Sequence, residues 1–208
     1  MSRRFILSNV NAPFGLRPVR HIDGSPWNGQ TLRAYISASY ATALYIGDPV
    51  LWSPTLAEKD ATANYPTINR SAGTTGVIIR GVITSFEPNP NNLTQQYNPA
   101  STARWANICP AAPNTVFQVR DDGGGTPAAV YVGQNGVLTV GGGGSTITGL
   151  SGFQLAAGTT PTTTQAHTVH ILGLSDIEDN ELGDYAIWDV ILNTCYNTTG
   201  LYLGITAA

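Results

Sequence analysis

The sequence predicts an all-β protein: a β-barrel, sandwich or jelly-roll core with an extended N-terminal arm and long loops. Its apolar runs are short and rich in Val, Ile, Thr and Tyr, residues that suit a pleated, half-buried surface. Turn signals separate the runs about every 8–12 residues, as in sandwiches and barrels, and 23 Gly and 13 Pro supply the breaks. No stretch sustains the 3.6-residue apolar period of an amphipathic helix. With 42% apolar residues among 208, the chain can bury a core of its own.

Residues 1–30 read as an extended arm, because Pro13, Gly15, Pro18, Gly24, Pro26 and Gly29 interrupt every possible helix. The arm either reaches a neighbour or pads its own domain as a strand. Residues 31–208 read as a single β domain. Leu32–Ile36 is its first strand, and Ala43–Trp52 its second, broken by a Gly47-Asp48-Pro49 turn. Gly76–Phe86 is the clearest strand; Gly81 inside it marks a bulge or a close backbone approach. Residues 87–114 form a long polar loop holding Pro88, Pro90, Pro99, Pro110 and Pro113, with at most a short helical piece near Ala100–Ile108. A loop of that length is uncommon unless it is functional or ordered by a partner. Thr115–Arg120 and Ala128–Val132 follow as strands joined by a turn at Asp121–Gly125. Gly136–Val140 is another strand and runs into four glycines and Ser145; Thr159–Thr164 is uncharged and extended. Ala166–Leu174, Tyr185–Asn193 and Gly200–Thr206 complete the set.

Only 11% of the residues are charged, against about 25% in an ordinary soluble domain. Lys59 is the single lysine, and the formal charge is only −3. A surface of Thr, Ser, Asn, Gln and backbone amides suits a subunit covered by neighbours better than a freely diffusing enzyme. Arg3, Arg4, Arg17 and Arg20 make the arm basic and leave the remainder acidic. The acidic balance, with a pI near 5.5, argues against direct nucleic-acid binding. A membrane helix needs about 20 apolar residues, and no such run is present. The start, Met1–Leu7, has a three-residue apolar run, short of the roughly 7–15 of a signal peptide. Cys109 and Cys195, far apart and without a CxxC partner, read as buried free thiols rather than a disulfide or metal site.

The constellations that could carry chemistry fail one by one. His167 and His170, three apart on a strand, would point to opposite faces and not share a metal. Asp176–Asp184 holds five acids without the spacing of a calcium loop. It reads as a solvated loop, or as a contact surface for a basic patch such as the arm of an adjacent copy. The glycine runs lack the Gly-Lys-Ser/Thr of a phosphate loop, and Gly149-Leu150-Ser151-Gly152-Phe153 lacks the last glycine of a nucleophile elbow. No catalytic, metal or cofactor residue is assigned, and the chain is expected not to be an enzyme. Trp52 and Trp188 fall in strand-like runs and are expected in the core. Trp27 and Trp105 fall in Pro- and Asn-rich stretches, where aromatics serve as interface anchors or fold back on their own domain.

Two segments resemble the structural proteins of tailed bacteriophages. Asn11-Ala12-Pro13-Phe14-Gly15-Leu16-Arg17-Pro18-Val19, followed by Gly24-Ser25-Pro26-Trp27-Asn28-Gly29, resembles their opening. The run Ser145–Leu155 and then Ile171–Leu174, Asp179–Gly183 and Tyr185-Ala186 resembles their later part, in order and spacing, to about residue 193. Related chains end soon after that, so the tail Thr194–Ala208 is a departure. The resemblance implies a capsid decoration, or cement, protein: a β-rich homo-oligomer that binds the major capsid protein on the outside of the phage head. The contacts expected on this reading are Arg3, Arg4, Phe14, Arg17, Arg20, Trp27, Trp105, Asp176, Glu178, Asp179 and Glu181. The alternatives are a tail or adsorption module that stacks host glycan on Trp27, Trp105 and Tyr97, and a tail-tube or adaptor ring protein.

Overall fold

The computed structural model describes residues 9–53, 67–125, 129–158 and 161–195, and the backbone of 198–199. The protein is all-β, 43% strand and 2% helix, in antiparallel sheets. In chain order the strands are β1 (Arg17–His21), β2 (Leu32–Ile36), β3 (Pro49–Trp52), β4 (Ile68–Arg70), β5 (Gly81–Phe86), β6 (Arg104–Pro110) and β7 (Thr115–Arg120). There follow β8 (Asn135–Gly136), β9 (Leu138–Gly144), β10 (Ser151–Leu155), β11 (Val169–Leu174), β12 (Ile187–Leu192), β13 (Thr194–Cys195) and β14 (Thr198–Thr199).

One five-stranded sheet has the order β2-β6-β5-β3-β4 and curls until its edges meet, Tyr35 of β2 bridging Thr67 beside β4. Alternation sends Ala34, Ile36, Val50, Ile68, Ile83, Ala106 and Ile108 into the curl, where Leu44 joins them. A second sheet has the order β1-β7-β12-β11-β8. It lays Phe117, Val119, Ile171, Trp188, Val190 and Leu192 against Leu138, Phe153 and Leu155 of the β9–β10 hairpin, forming the larger core. Each such side chain contributes about 1.5–3 kcal/mol by leaving water.

The two halves share β5 and β6. Val82 and Cys109 face the larger core, while Ile83 and Ile108 face the curl. Burial on both sides is why β5 reads as a continuous apolar run rather than an alternating one. A Cβ on Gly81 would lie 2.7 Å from the Cys109 carbonyl oxygen, so the glycine marks a close approach; the bulge falls at Thr84 instead.

Several sequence expectations are corrected. Ala100–Ile108 is not helical: β6 runs through it and pairs with both β2 and β5, so the loop shrinks to 87–103. The alternation that marks β6, with Ala106 and Ile108 inward and Trp105 and Asn107 outward, is masked by prolines at either side. Ala129–Tyr131 is a 3-10 turn rather than a strand, and it sets the Tyr131 ring 6.2 Å from that of Trp188. Gly141–Gly144 continue β9 instead of ending it. The strand at Gly76–Phe86 begins only at Gly81, and that at Ala43–Trp52 only at Pro49. The arm is no free extension: from Arg17 it is an edge strand paired with β7. Gly200–Thr206 lies outside the described residues.

Candidate functional site

The arm enters the body at a crossing that only glycine permits. Gly15 and Gly47 both hold positive φ, 73° and 94°. A Cβ on Gly15 would overlap the Gly47 carbonyl, and one on Gly47 the Phe14 carbonyl. Leu16 then donates its N–H to the Gly47 carbonyl at 2.9 Å and sinks into the larger core, 1% exposed. The neighbours of this buried residue, half-buried Phe14 and exposed Arg17, stay at the surface. The same turn is tied to the β9–β10 hairpin, since Ile46 donates to the Gly149 carbonyl and accepts from the Ser151 N–H, both at 2.8 Å. Gly144 backs onto the Tyr45 ring, where any side chain would collide.

Between arm, turn and hairpin lies an apolar cleft. Its outer part, about 540 Å³, is lined by Pro13, Phe14, Arg17, Gly144, Thr148 and Leu150. Its inner part, about 380 Å³, shares Phe14, Arg17 and Leu150 and reaches Trp27, Ile46 and Ile83. Two cations frame Phe14: the Arg17 guanidinium stands 4.9 Å from the ring centre and that of Arg120 5.9 Å. Such pairs are worth about 0.5–1 kcal/mol near the surface. Arg17 donates to the Gln118 side-chain oxygen at 2.6 Å and Arg120 to the Tyr185 carbonyl at 2.7 Å. Among the described residues neither bonds a carboxylate. The cleft can therefore hold an apolar side chain with a carboxylate beside it.

Behind the cleft, Asp48 is fully buried. The Tyr45 N–H donates to its Oδ2 at 2.9 Å, and its Oδ1 has no partner. Burial pushes the carboxyl up to about 6, against the opposing pull of hydrogen bonds from Ser151 and Tyr45 and of the Arg70 charge. Asp121 is also raised by burial; it accepts from the Gly123 and Tyr185 N–H groups at 2.9 and 2.7 Å and from the Trp188 indole at 3.2 Å. A separate polar groove of about 400 Å³ runs along the second sheet past Arg20, Gln118, Ser175, Asp176 and Asp189. Arg20 pairs with Asp189 across it at 3.0 Å.

The expected contact residues do not form one patch. Phe14, Arg17 and Trp27 converge on the cleft, Trp27 also packing on the larger core. Arg20 and Asp176 belong to the polar groove. Glu178, Asp179 and Glu181 are exposed on the β11–β12 loop. Trp105 sits on β6 rather than in a loop, with Arg33 over its face at 4.0 Å and Tyr35 at 5.0 Å. Tyr97 stacks on Tyr45 at 5.4 Å. Each of these rings already has an intramolecular partner. Arg3 and Arg4 lie outside the described residues.

The acidic loop does meet an arm, but through its own chain and a neutral side chain: Asn9 donates to the Glu181 and Asp184 carbonyls at 2.8 and 3.1 Å. His167 precedes β11, so strand alternation does not separate it from His170, and both rings bond Asn135, at 3.1 Å to its carbonyl and 2.7 Å to its side chain. Both cysteines are free and buried, and burial pushes the Cys109 thiol up to about 12. Sequence reasoning missed Leu150, Arg120 and Asp48. Arg120 ends a predicted strand and Asp48 sits in a predicted turn, but only the tertiary crossing at Gly15 and Gly47 gives them a role.

No family model, curated protein or solved structure matches the chain.

Proposed function

We propose that the chain is a structural virion protein: a decoration or cement subunit that binds the major capsid protein lattice of a tailed-phage head and stabilises it. The observation that carries this reading is where the two phage-like segments meet. Asn11–Val19 and Ser145–Leu155, far apart in sequence, supply facing walls of one cleft. What they build is a largely apolar cleft. The poorly charged exterior fits a protein covered by its neighbours. Packaged DNA pushes a shell outward. Contacts worth about 1 kcal/mol each resist that push when repeated over many copies, because detachment requires many to break together.

Copy number on purified particles tests the proposal. Decoration predicts roughly hundreds of copies per head, and a single ring of about six or twelve would move the protein to tail or neck. Heads assembled without it are expected to lose DNA at lower temperature. Particles that never carry the protein would end the proposal.

A further inference from the structure

We infer that the Phe14 cleft receives the Asp176–Asp184 loop of a second copy of this chain, head to tail. The inference rests on the assembly reading above and names the partner at its cleft. The two surfaces are complementary in charge and in apolar content. The cleft offers Phe14 and Leu150 beside the Arg17 guanidinium, which bonds no carboxylate among the described residues; that of Arg120 stands outside the cleft lining, 5.9 Å from the Phe14 ring centre and next to the Asp121 charge. The loop offers Ile177 and Leu182, 38% and 49% exposed. Around them stand Asp176, Glu178, Asp179, Glu181 and Asp184, all exposed. None of these five carboxylates forms an ion pair among the described residues.

The loop is also shaped before it binds. The Asn180 side chain donates to the Ser175 and Ile187 carbonyls at 2.8 and 2.9 Å and accepts from the Ile187 N–H at 2.8 Å. Asn9 holds the Glu181 and Asp184 carbonyls from the other side. A preformed loop loses less conformational freedom on docking. No residue of this loop lines the cleft of its own chain, which leaves the cleft open to a neighbour's. Set head to tail rather than reciprocally, the contact is heterologous and builds a ring or an open chain.

Sedimentation and light scattering of the full-length protein test this. The wild type is expected to self-associate, and the association to weaken by about tenfold or more in 1 M salt, where charges are screened beyond about 3 Å. Arg17→Glu in the cleft and the triple change Asp176→Lys, Glu178→Lys, Glu181→Lys in the loop should each give monomers. Mixing the two variants restores opposite charge wherever unlike copies meet, so it should restore oligomers, which also shows that both are folded. A wild type that stays monomeric, oligomers indifferent to both variants, or a mixture that stays monomeric overturns the inference. Head binding is scored separately: monomers that still decorate heads refute only the self-contact, and oligomers that never bind heads refute only the proposed function.

Discussion

Asp48→Asn should stabilise the protein at neutral pH and leave it unchanged in acid. Asp48 has an ordinary carboxyl value of 3.8 when unfolded and is pushed up to about 6 by burial when folded. The folded chain thus holds the proton more tightly than the unfolded one. Its extra stability is fully present below about pH 3.8 and is lost as pH rises through about 6. The gap of about two pH units corresponds to about 3 kcal/mol. For a chain of this size that is about 6–12 °C in melting temperature. Burial prevails because it outweighs the Ser151 hydroxyl, the Tyr45 N–H and the Arg70 charge together, and Oδ1 is left with no partner.

Asparagine is close to the same shape, keeps an acceptor for Tyr45 and never ionises. Thermal melts of wild type and variant, followed by circular dichroism from about pH 3.5 to pH 7.5, isolate this group, because every other carboxyl cancels in the difference. The variant should match the wild type at the acid end and exceed it at the neutral end, with the change centred between the two carboxyl values. A difference that stays flat with pH, or a wild type that gains on the variant as pH rises, refutes the reasoning.

Asn180→Ala removes three hydrogen bonds that close the β11–β12 loop and should cost about 1–3 kcal/mol in denaturant unfolding. Gly81→Ala forces a Cβ to within 2.7 Å of the Cys109 carbonyl and should cost about 1–3 kcal/mol as overpacking. Gly173→Ala, which meets nothing within 4 Å, should stay within about 0.5 kcal/mol. Cys109 and Cys195 are buried in the larger core, so a thiol reagent at neutral pH should modify neither in the native protein and both in denaturant.

The strands that form the walls of the larger core were legible in the sequence, because Thr115–Arg120 and Tyr185–Asn193 carry dense β-branched and aromatic runs between clear turn signals. What escaped was set by tertiary contact. β6 has Arg104, Asn107 and two flanking prolines, and its outward residues resemble a loop until β2 and β5 pair on both sides. The four glycines of β9 carry no strand signal of their own, yet Gly144 is small because the Tyr45 ring lies against it. Of the cleft, Phe14, Arg17 and Trp27 could be singled out as residues of a basic, proline-punctuated arm. The opposite wall could not be found, because no local pattern says that the Ser145–Leu155 hairpin folds back onto Ile46.

The arm therefore serves the fold and the surface at once, and this decides how its role must be tested. Leu16 fills the larger core, Arg17–His21 completes a sheet edge, and Gly15 packs on Gly47. Removing the whole arm opens a void where Leu16 sat, a loss of about 2–5 kcal/mol by itself, and strips the hydrogen bonds of β7. Lost head binding after such a deletion would report unfolding as readily as a missing contact. Phe14→Ala differs, because Phe14 is only half-buried and its ring meets the Arg17 and Arg120 cations at the cleft rather than the core. That variant should keep its melting temperature within about 4 °C, the equivalent of roughly 1 kcal/mol, and, on the proposed decoration role, its occupancy on heads should fall. Unchanged occupancy in a well-folded Phe14→Ala protein would show that head binding needs neither the cleft nor a self-contact made there, whatever arm deletion does.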